Sequence, residues 1–237
     1  MNSKSNIKIM RYFVLFLFFF IFGCDGTSKN DSAKTIEEEI PKAFPERNSH
    51  IIFFGDSLTA GYGLTDFEKS WPHLVIDRLS KDGYAYEMTN AGVSGDTTSG
   101  GLGRIDWVLS KKPNIFVLEL GANDMLRGIP PIVTRKNLKE IIGKVKVTYP
   151  DCEILLVGMR ATPNLGKQFR KEFDTIYPEL AKEEHILLVP FLLEKVAGIR
   201  KWNQKDGIHP TEEGHSKVAD YVYPYLKKIA IKNYRVK

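Results

Sequence analysis

The chain has 237 residues, 43% hydrophobic and 27% charged, with a formal net charge of +5. That suits one globular domain with a sizeable core. Removing the cations Lys4, Lys8 and Arg11 takes the balance from +5 to +2, and no basic stripe with interleaved aromatics follows, which argues against a nucleic-acid partner.

Behind those cations lies an apolar run from Tyr12 to Phe22. It is too short to span a bilayer comfortably and fits the core of an export signal. The segment Ile21-Phe22-Gly23-Cys24 resembles the lipobox of bacterial lipoproteins, although Phe22 stands where a small residue is usual. The resemblance implies a signal peptide over residues 1–23, lipidation of Cys24, and an exported, membrane-anchored protein facing the periplasm or the cell exterior. Residues 24–48 are polar and charged and read as a tether. With Cys24 lipidated, the other cysteine, Cys152, has no disulfide partner and reads as a packing residue.

The folded domain is expected over residues 49–237. Ile51–Phe54 is β-branched and aromatic and predicts a buried strand, stopped by Gly55. Ser70–Leu79 has helical apolar spacing, with Pro72 tolerable in a first turn. Tyr84–Thr89 predicts a second strand, Asn90–Thr97 a loop, and the stretch through Trp107 and Leu109 a helix with Trp107 packed inward. Ile115–Leu120 is a third strand, interrupted in polarity only by Glu119 and ended by Gly121-Ala122-Asn123-Asp124. Asn137–Val147 is an amphipathic helix. Ile154–Val157 is a strand, Phe169–Leu180 a helical face, and Ile186–Val189 the last strand. Val196–Ile208 reads as irregular, and Thr211 opens a final helix. This alternation predicts a mainly parallel five-stranded sheet covered by helices on both faces.

Four segments follow strands and can gather at one edge of such a sheet, where ligands bind. Ser57 follows the first strand, Gly92 and Gly95 the second, Asn123 the third, and Asp206-Gly207-Ile208-His209 the last. A serine nucleophile needs a base, and histidine titrates in a suitable range. Histidine in turn needs an acceptor to orient it, and Asp206 lies three residues earlier. Donors for a tetrahedral oxyanion are the Ser57 N–H, a glycine N–H from the second loop and the Asn123 amide. Each piece alone has a plainer role: a helix cap for Ser57 or His209, a turn pair for Asn123-Asp124, turn glycines for Gly92 and Gly95. His50, His73, His185 and His215 lack matching serine and acid neighbours, and no ligand cluster spaced for zinc is present.

Together the four segments resemble the GDSL, or SGNH, hydrolases, named for Ser, Gly, Asn and His. The matching stretches are Gly55-Asp56-Ser57-Leu58, Asn90–Thr97, Gly121-Ala122-Asn123-Asp124 and Asp206–Pro210, in the family's order. Glu119–Gly128 and Ile176–Ala181 look most like the bacterial periplasmic acyl-CoA thioesterase, lysophospholipase and arylesterase group. The resemblance implies a flavodoxin-like α/β/α sandwich and a serine esterase acting on small-molecule acyl esters or thioesters. It implies Ser57 as nucleophile, His209 as base, Asp206 as its partner, and Ser57, Gly95 and Asn123 as the oxyanion hole, with no cofactor or metal. A carbohydrate O-deacetylase and a non-catalytic binding lipoprotein are the alternatives. Substrate specificity is expected in Pro130–Thr134 and Pro163–Lys167. The G-x-S-x-G elbow of α/β hydrolases is absent around Ser57.

Overall fold

The computed structural model describes residues 49–234. The expectations for the signal segment 1–23, for Cys24 and for the tether to residue 48 lie outside the described residues. Five parallel strands form one sheet: β1 (His50–Gly55), β2 (Glu87–Gly92), β3 (Ile115–Glu119), β4 (Glu153–Val157) and β5 (Leu187–Val189). Their order is β2-β1-β3-β4-β5, the flavodoxin-like arrangement whose direction of winding reverses between β1 and β3. Every residue of β1 and β3 is buried, as expected for central strands sandwiched between helices.

The helices are α1 (Ser57–Ala60), α2 (Trp71–Lys81), α3 (Thr98–Val108), α4 (Ala122–Leu126), α5 (Pro131–Thr148), α6 (Lys167–Glu183) and α7 (Glu212–Asn233). Helix α2 packs on α7 to make one layer, and α3, α5 and α6 pack in sequence to make the other. The three-layer α/β/α sandwich expected from the sequence is therefore present. Trp71, edge-on to Phe53 at 5.3 Å between ring centroids, ties the first layer to the sheet.

Four local expectations are corrected. The second strand begins at Glu87 and runs through Asn90-Ala91-Gly92, which read as loop. It is the sheet edge, so only part of it needs to be apolar. The aromatic residues that suggested an earlier start serve α7 instead: Tyr84 meets Tyr234 edge-on at 4.9 Å, and the Tyr86 hydroxyl donates to the Ala230 carbonyl at 3.0 Å. Trp107 is 78% exposed, because α3 buries its Gly101, Ile105 and Val108 face instead. Pro130–Thr134, expected to hold substrate specificity, is the start of a helix. Helix α5 starts at Pro131, with proline suited to a first turn, and Thr134 is buried with its hydroxyl donating to Asp124.

His215 sits inside this frame, 1% exposed, and its Nδ1 accepts from the Trp71 N–H at 3.2 Å. Desolvation, followed by the neighbouring His209 charge, lowers its pKa from 6.5 to about 4. The unfolded chain therefore takes up this proton before the folded one does. Stability from a neutral His215 is complete above pH 6.5 and is lost as the pH falls toward 4, by up to about 3 kcal/mol. His215→Asn keeps a neutral acceptor and removes the titration. Urea midpoints measured at neutral pH and near the lower limit should fall less in the variant than in the parent; parallel losses would show that His215 does not carry this acid sensitivity.

Candidate active site

The site begins with a tight turn at the end of β1. A Cβ on Gly55 would meet Thr59 Oγ1 at 2.2 Å and Glu119 Oε2 at 2.6 Å, so only glycine fits. Asp56 caps α1, its Oδ1 accepting from the Leu58 N–H at 3.0 Å. Ser57 is thereby the first residue of α1, with its hydroxyl at the C-terminal edge of the sheet. Gly92 closes the same turn from the other side: a Cβ there would lie 2.3 Å from the Ala60 nitrogen. Arg104 on α3 joins these parts, donating to the carbonyls of Gly55 at 3.0 Å and Ala91 at 2.9 Å and pairing with Asp96 at 2.7 Å. Its guanidinium also lies 4.0 Å from the Phe54 ring centroid.

His209 arrives from the segment after β5. Its Nε2 lies 2.9 Å from Ser57 Oγ and its Nδ1 lies 2.7 Å from Asp206 Oδ2. An Nδ1–H donated to Asp206 leaves Nε2 as the acceptor for the serine proton. Asp206 is held by its own turn, Oδ1 accepting from the N–H groups of Ile208 at 3.0 Å and His209 at 3.1 Å, with Gly207 at φ +76°. Partial desolvation works against its charge. The hydrogen bonds from the His209 ring and from the two backbone N–H groups outweigh it and hold the carboxyl at about 2. Tyr62 lies against the other face of the imidazole, 4.6 Å between ring centroids.

Gly95 and Asn123 border the same cavity as Ser57 and His209. Gly95 has φ +80°, and neither its N–H nor that of Ser57 is spent on another described residue. Gly92 is placed differently, inside β2 opposite Gly55, with its N–H donated to Asn90 Oδ1 at 3.0 Å. The Asn123 amide nitrogen donates to the Asp96 carbonyl at 2.9 Å and to Asp56 Oδ2 at 3.2 Å. Its hydrogens are therefore engaged in the unliganded site, which its place in a Gly-Ala-Asn-Asp segment did not foretell.

Under the turn lie two fully buried carboxyls, Asp56 and Glu119. Desolvation first, and then the adjacent Glu119 charge, push Asp56 well above the ordinary carboxylate range. Desolvation also raises Glu119, against hydrogen bonds from the Thr59 hydroxyl at 2.7 Å and the Asp56 N–H at 3.3 Å. Both shifts run the same way, because burial opposes each charge and the two charges would oppose one another.

The cavity has a volume of about 410 Å³, within the usual range of small-ligand sites, roughly 300–1,000 Å³. Met125, Met159, Phe191 and Leu193 supply much of its wall, and Arg160 stands at its polar side. Of the expected specificity segments, Pro163–Lys167 contributes only Pro163 to the lining and Pro130–Thr134 contributes nothing. Met125 is both buried and part of the cavity wall. Arg104, Tyr62 and the Met159–Phe191 wall carry no short motif and were not legible as site residues.

A serine hydroxyl, an imidazole and a carboxylate in line at the switch point of a parallel sheet have the form of a serine hydrolase. The fold is that of the SGNH hydrolases: the crystal structure of TesA superposes with a TM-score of 0.72 and 37% identity, over 76% of this chain and 99% of that one. Residues 53–217 match the GDSL-like lipase/acylhydrolase family model, and the chain belongs to that family. It is 38% identical over 187 residues to an arylesterase of Vibrio mimicus, covering 78% of this chain and 92% of the relative. It is 36% identical over 180 residues to the thioesterase 1/protease 1/lysophospholipase L1 of Escherichia coli K12, covering 76% and 84%. By class the chain is a carboxylic ester hydrolase.

Arg104→Met keeps the stem over Phe54 and removes three polar contacts, one of them to the nearly buried Asp96 carboxylate. The expected cost is about 2–4 kcal/mol, larger than for a surface ion pair. It should appear as a lowered urea midpoint with unchanged slope. A loss below about 0.5 kcal/mol would remove Arg104 from the framework of the site.

Proposed function

We propose that the chain is a serine esterase that cleaves acyl esters or thioesters through an acyl-enzyme on Ser57. The observation that carries this reading is the continuous run Ser57 Oγ–His209–Asp206, with separations of 2.9 and 2.7 Å, opening into an apolar cavity. His209 Nε2 takes the hydroxyl proton as Oγ attacks the acyl carbonyl. The oxygen that gains charge is met by the N–H groups of Ser57 and Gly95 and by the Asn123 amide, which gives up its longer bond to Asp56 to donate to it. Collapse of the tetrahedral intermediate expels the alcohol or thiol, which His209 protonates. Water activated by the same imidazole then releases the acid and restores Ser57.

The methionine and phenylalanine wall favours an acyl chain over an acetylated sugar, whose hydroxyls would face few partners there. For that reason the ester or thioester reading stands ahead of an O-deacetylase. The complete relay stands against a binding lipoprotein without turnover. Attachment at Cys24 remains part of the proposal, supported by the Ile21–Cys24 pattern. Two lipid chains on one cysteine suffice for stable anchoring. Palmitate labelling that survives Cys24→Ala would overturn it.

Ser57→Ala should abolish turnover of a soluble aryl ester and labelling by a fluorophosphonate, with the fold retained. Persistent labelling of that variant would place the nucleophile elsewhere. Asn123→Ala should lower kcat by about 10²–10³ with little change in KM. It should also cost about 1–2 kcal/mol in urea unfolding, because this amide joins the Asp56 turn to the Asp96 loop. A variant that loses stability yet keeps near-normal kcat would reduce Asn123 to a structural link.

Only a neutral imidazole accepts the serine proton. Asp206, held at about 2, is ionised at neutral pH and can hold that imidazole by its Nδ1–H. Asp206→Asn should cut kcat strongly without unfolding the protein, since the ring loses the acceptor that fixes its tautomer. Full activity in that variant would remove the carboxylate from the relay.

A further inference from the structure

The segment from Lys195 to Lys205 forms one wall of the cavity through Ala197, Gly198 and Asn203. Along these eleven residues stand four cations, Lys195, Arg200, Lys201 and Lys205, and no acid. All four are exposed, and none makes an ion pair among the described residues. Of the nearby acids, Glu194 pairs with Arg160 at 3.5 Å, Asp206 with His209, and Glu213 accepts from the Trp202 indole N–H at 2.8 Å. None of them forms an ion pair with the four cations, which outnumber them along this lip.

Apolar side chains stand out from the same mouth. Ile199 lies between the cations, and Tyr62, Leu126 and Ile208 border the cavity; each is between 37% and 51% exposed. Trp202 is half-buried, with the Lys201 ammonium 4.9 Å from its ring. Neither a solvated charged face nor a site for a soluble anion has need of Ile199 exposed outside the cavity. Cations interleaved with isoleucine and an indole match the boundary of a bilayer, where headgroups and acyl chains meet.

We propose that this lip docks the enzyme onto an anionic lipid surface, with the cavity mouth facing the membrane. The inference rests on the esterase reading for its purpose, which is to admit acyl substrates from the lipid phase. It does not rest on attachment at Cys24, which would tether the chain but leave the orientation of the domain open. Charge complementarity selects the anionic surface, and the exposed apolar residues select a bilayer over a soluble polyanion.

The test compares the full chain with a Lys195→Gln/Arg200→Gln/Lys201→Gln variant and with Ile199→Ser. Three substrates are used: a short-chain aryl ester in water, an acyl-CoA, and a long-chain aryl ester carried in vesicles. The vesicles are phosphatidylcholine alone or phosphatidylcholine with phosphatidylglycerol, and their binding is followed by flotation. The parent should bind and turn over the vesicle-borne ester at least about tenfold better when phosphatidylglycerol is present, and added salt should remove that gain. The triple variant should lose the gain, Ile199→Ser should weaken it, and both should hydrolyse the short ester at the parent rate. Equal behaviour on the two vesicle types, or a triple variant that keeps the gain, would overturn the docking face. So would a variant impaired on acyl-CoA but unimpaired on vesicles, which would give the cations to a soluble phosphate. Absence of short-ester turnover in the parent would count against the esterase reading alone, because flotation still reports the docking.

Discussion

At the end of β1 three strands come together more closely than side chains allow. Gly55 leaves no room for a Cβ between Thr59 and Glu119, and Gly92 leaves none beside Ala60. This contact lets α1 start directly after the strand and sets Ser57 at the sheet edge. It also brings the end of β3 within reach, so that Asn123 can bond to Asp56 and to the Asp96 loop. A larger residue at either glycine would part the strands and separate the hydroxyl from the groups opposite it. Arg104 then holds the assembled turn by carbonyls from both sides, where an arginine fork is better suited than a lysine.

The acids around this turn do opposite work because their surroundings differ. Asp206 stands partly in solvent and receives three N–H bonds, so its charge is kept. In the proposed relay, that charge steadies an imidazolium on His209. Asp56 and Glu119 are sealed from water, and desolvation raises both. Burial thus disfavours a charge on either acid, and each charge would disfavour the other, beneath the turn that carries Ser57.

Much of this was legible in the chain. The apolar runs of β1, β3 and β4 fixed the centre of the sheet, because a strand buried on both faces has little choice of composition. The residues of the relay were legible because each follows a strand, and a parallel sheet collects those positions at one edge. The edge strand β2 was placed too early, since its Asn90-Ala91-Gly92 end reads as loop and the tyrosines before it read as strand. Trp107 misled for a related reason: bulk suggests burial, but the face of α3 was decided by Gly101 and Ile105. The cavity wall was illegible. Met159, Phe191 and Tyr62 come from separate loops, and no spacing along the chain reports that they meet.

The topology also explains why His209 arrives on the longest irregular stretch of the domain. In the order β2-β1-β3-β4-β5, Ser57 follows β1 while His209 follows β5, three strand spacings away. That is roughly 14 Å across the sheet. A short turn after Val189 cannot cover this distance and still present an imidazole to Ser57, so the chain crosses the C-terminal edge before α7 begins. A crossing of this length would be too loose to hold a base in place, yet it is pinned along its course. Asn203 donates to the carbonyls of Val196 and Ile199, and Gln204 to those of Tyr62 and Pro210. Crossing the edge is what makes the segment a wall of the cavity, and pinning it from within leaves its lysines and Ile199 turned outward. The reach that brings His209 to Ser57 thus also produces the basic, apolar lip of the mouth.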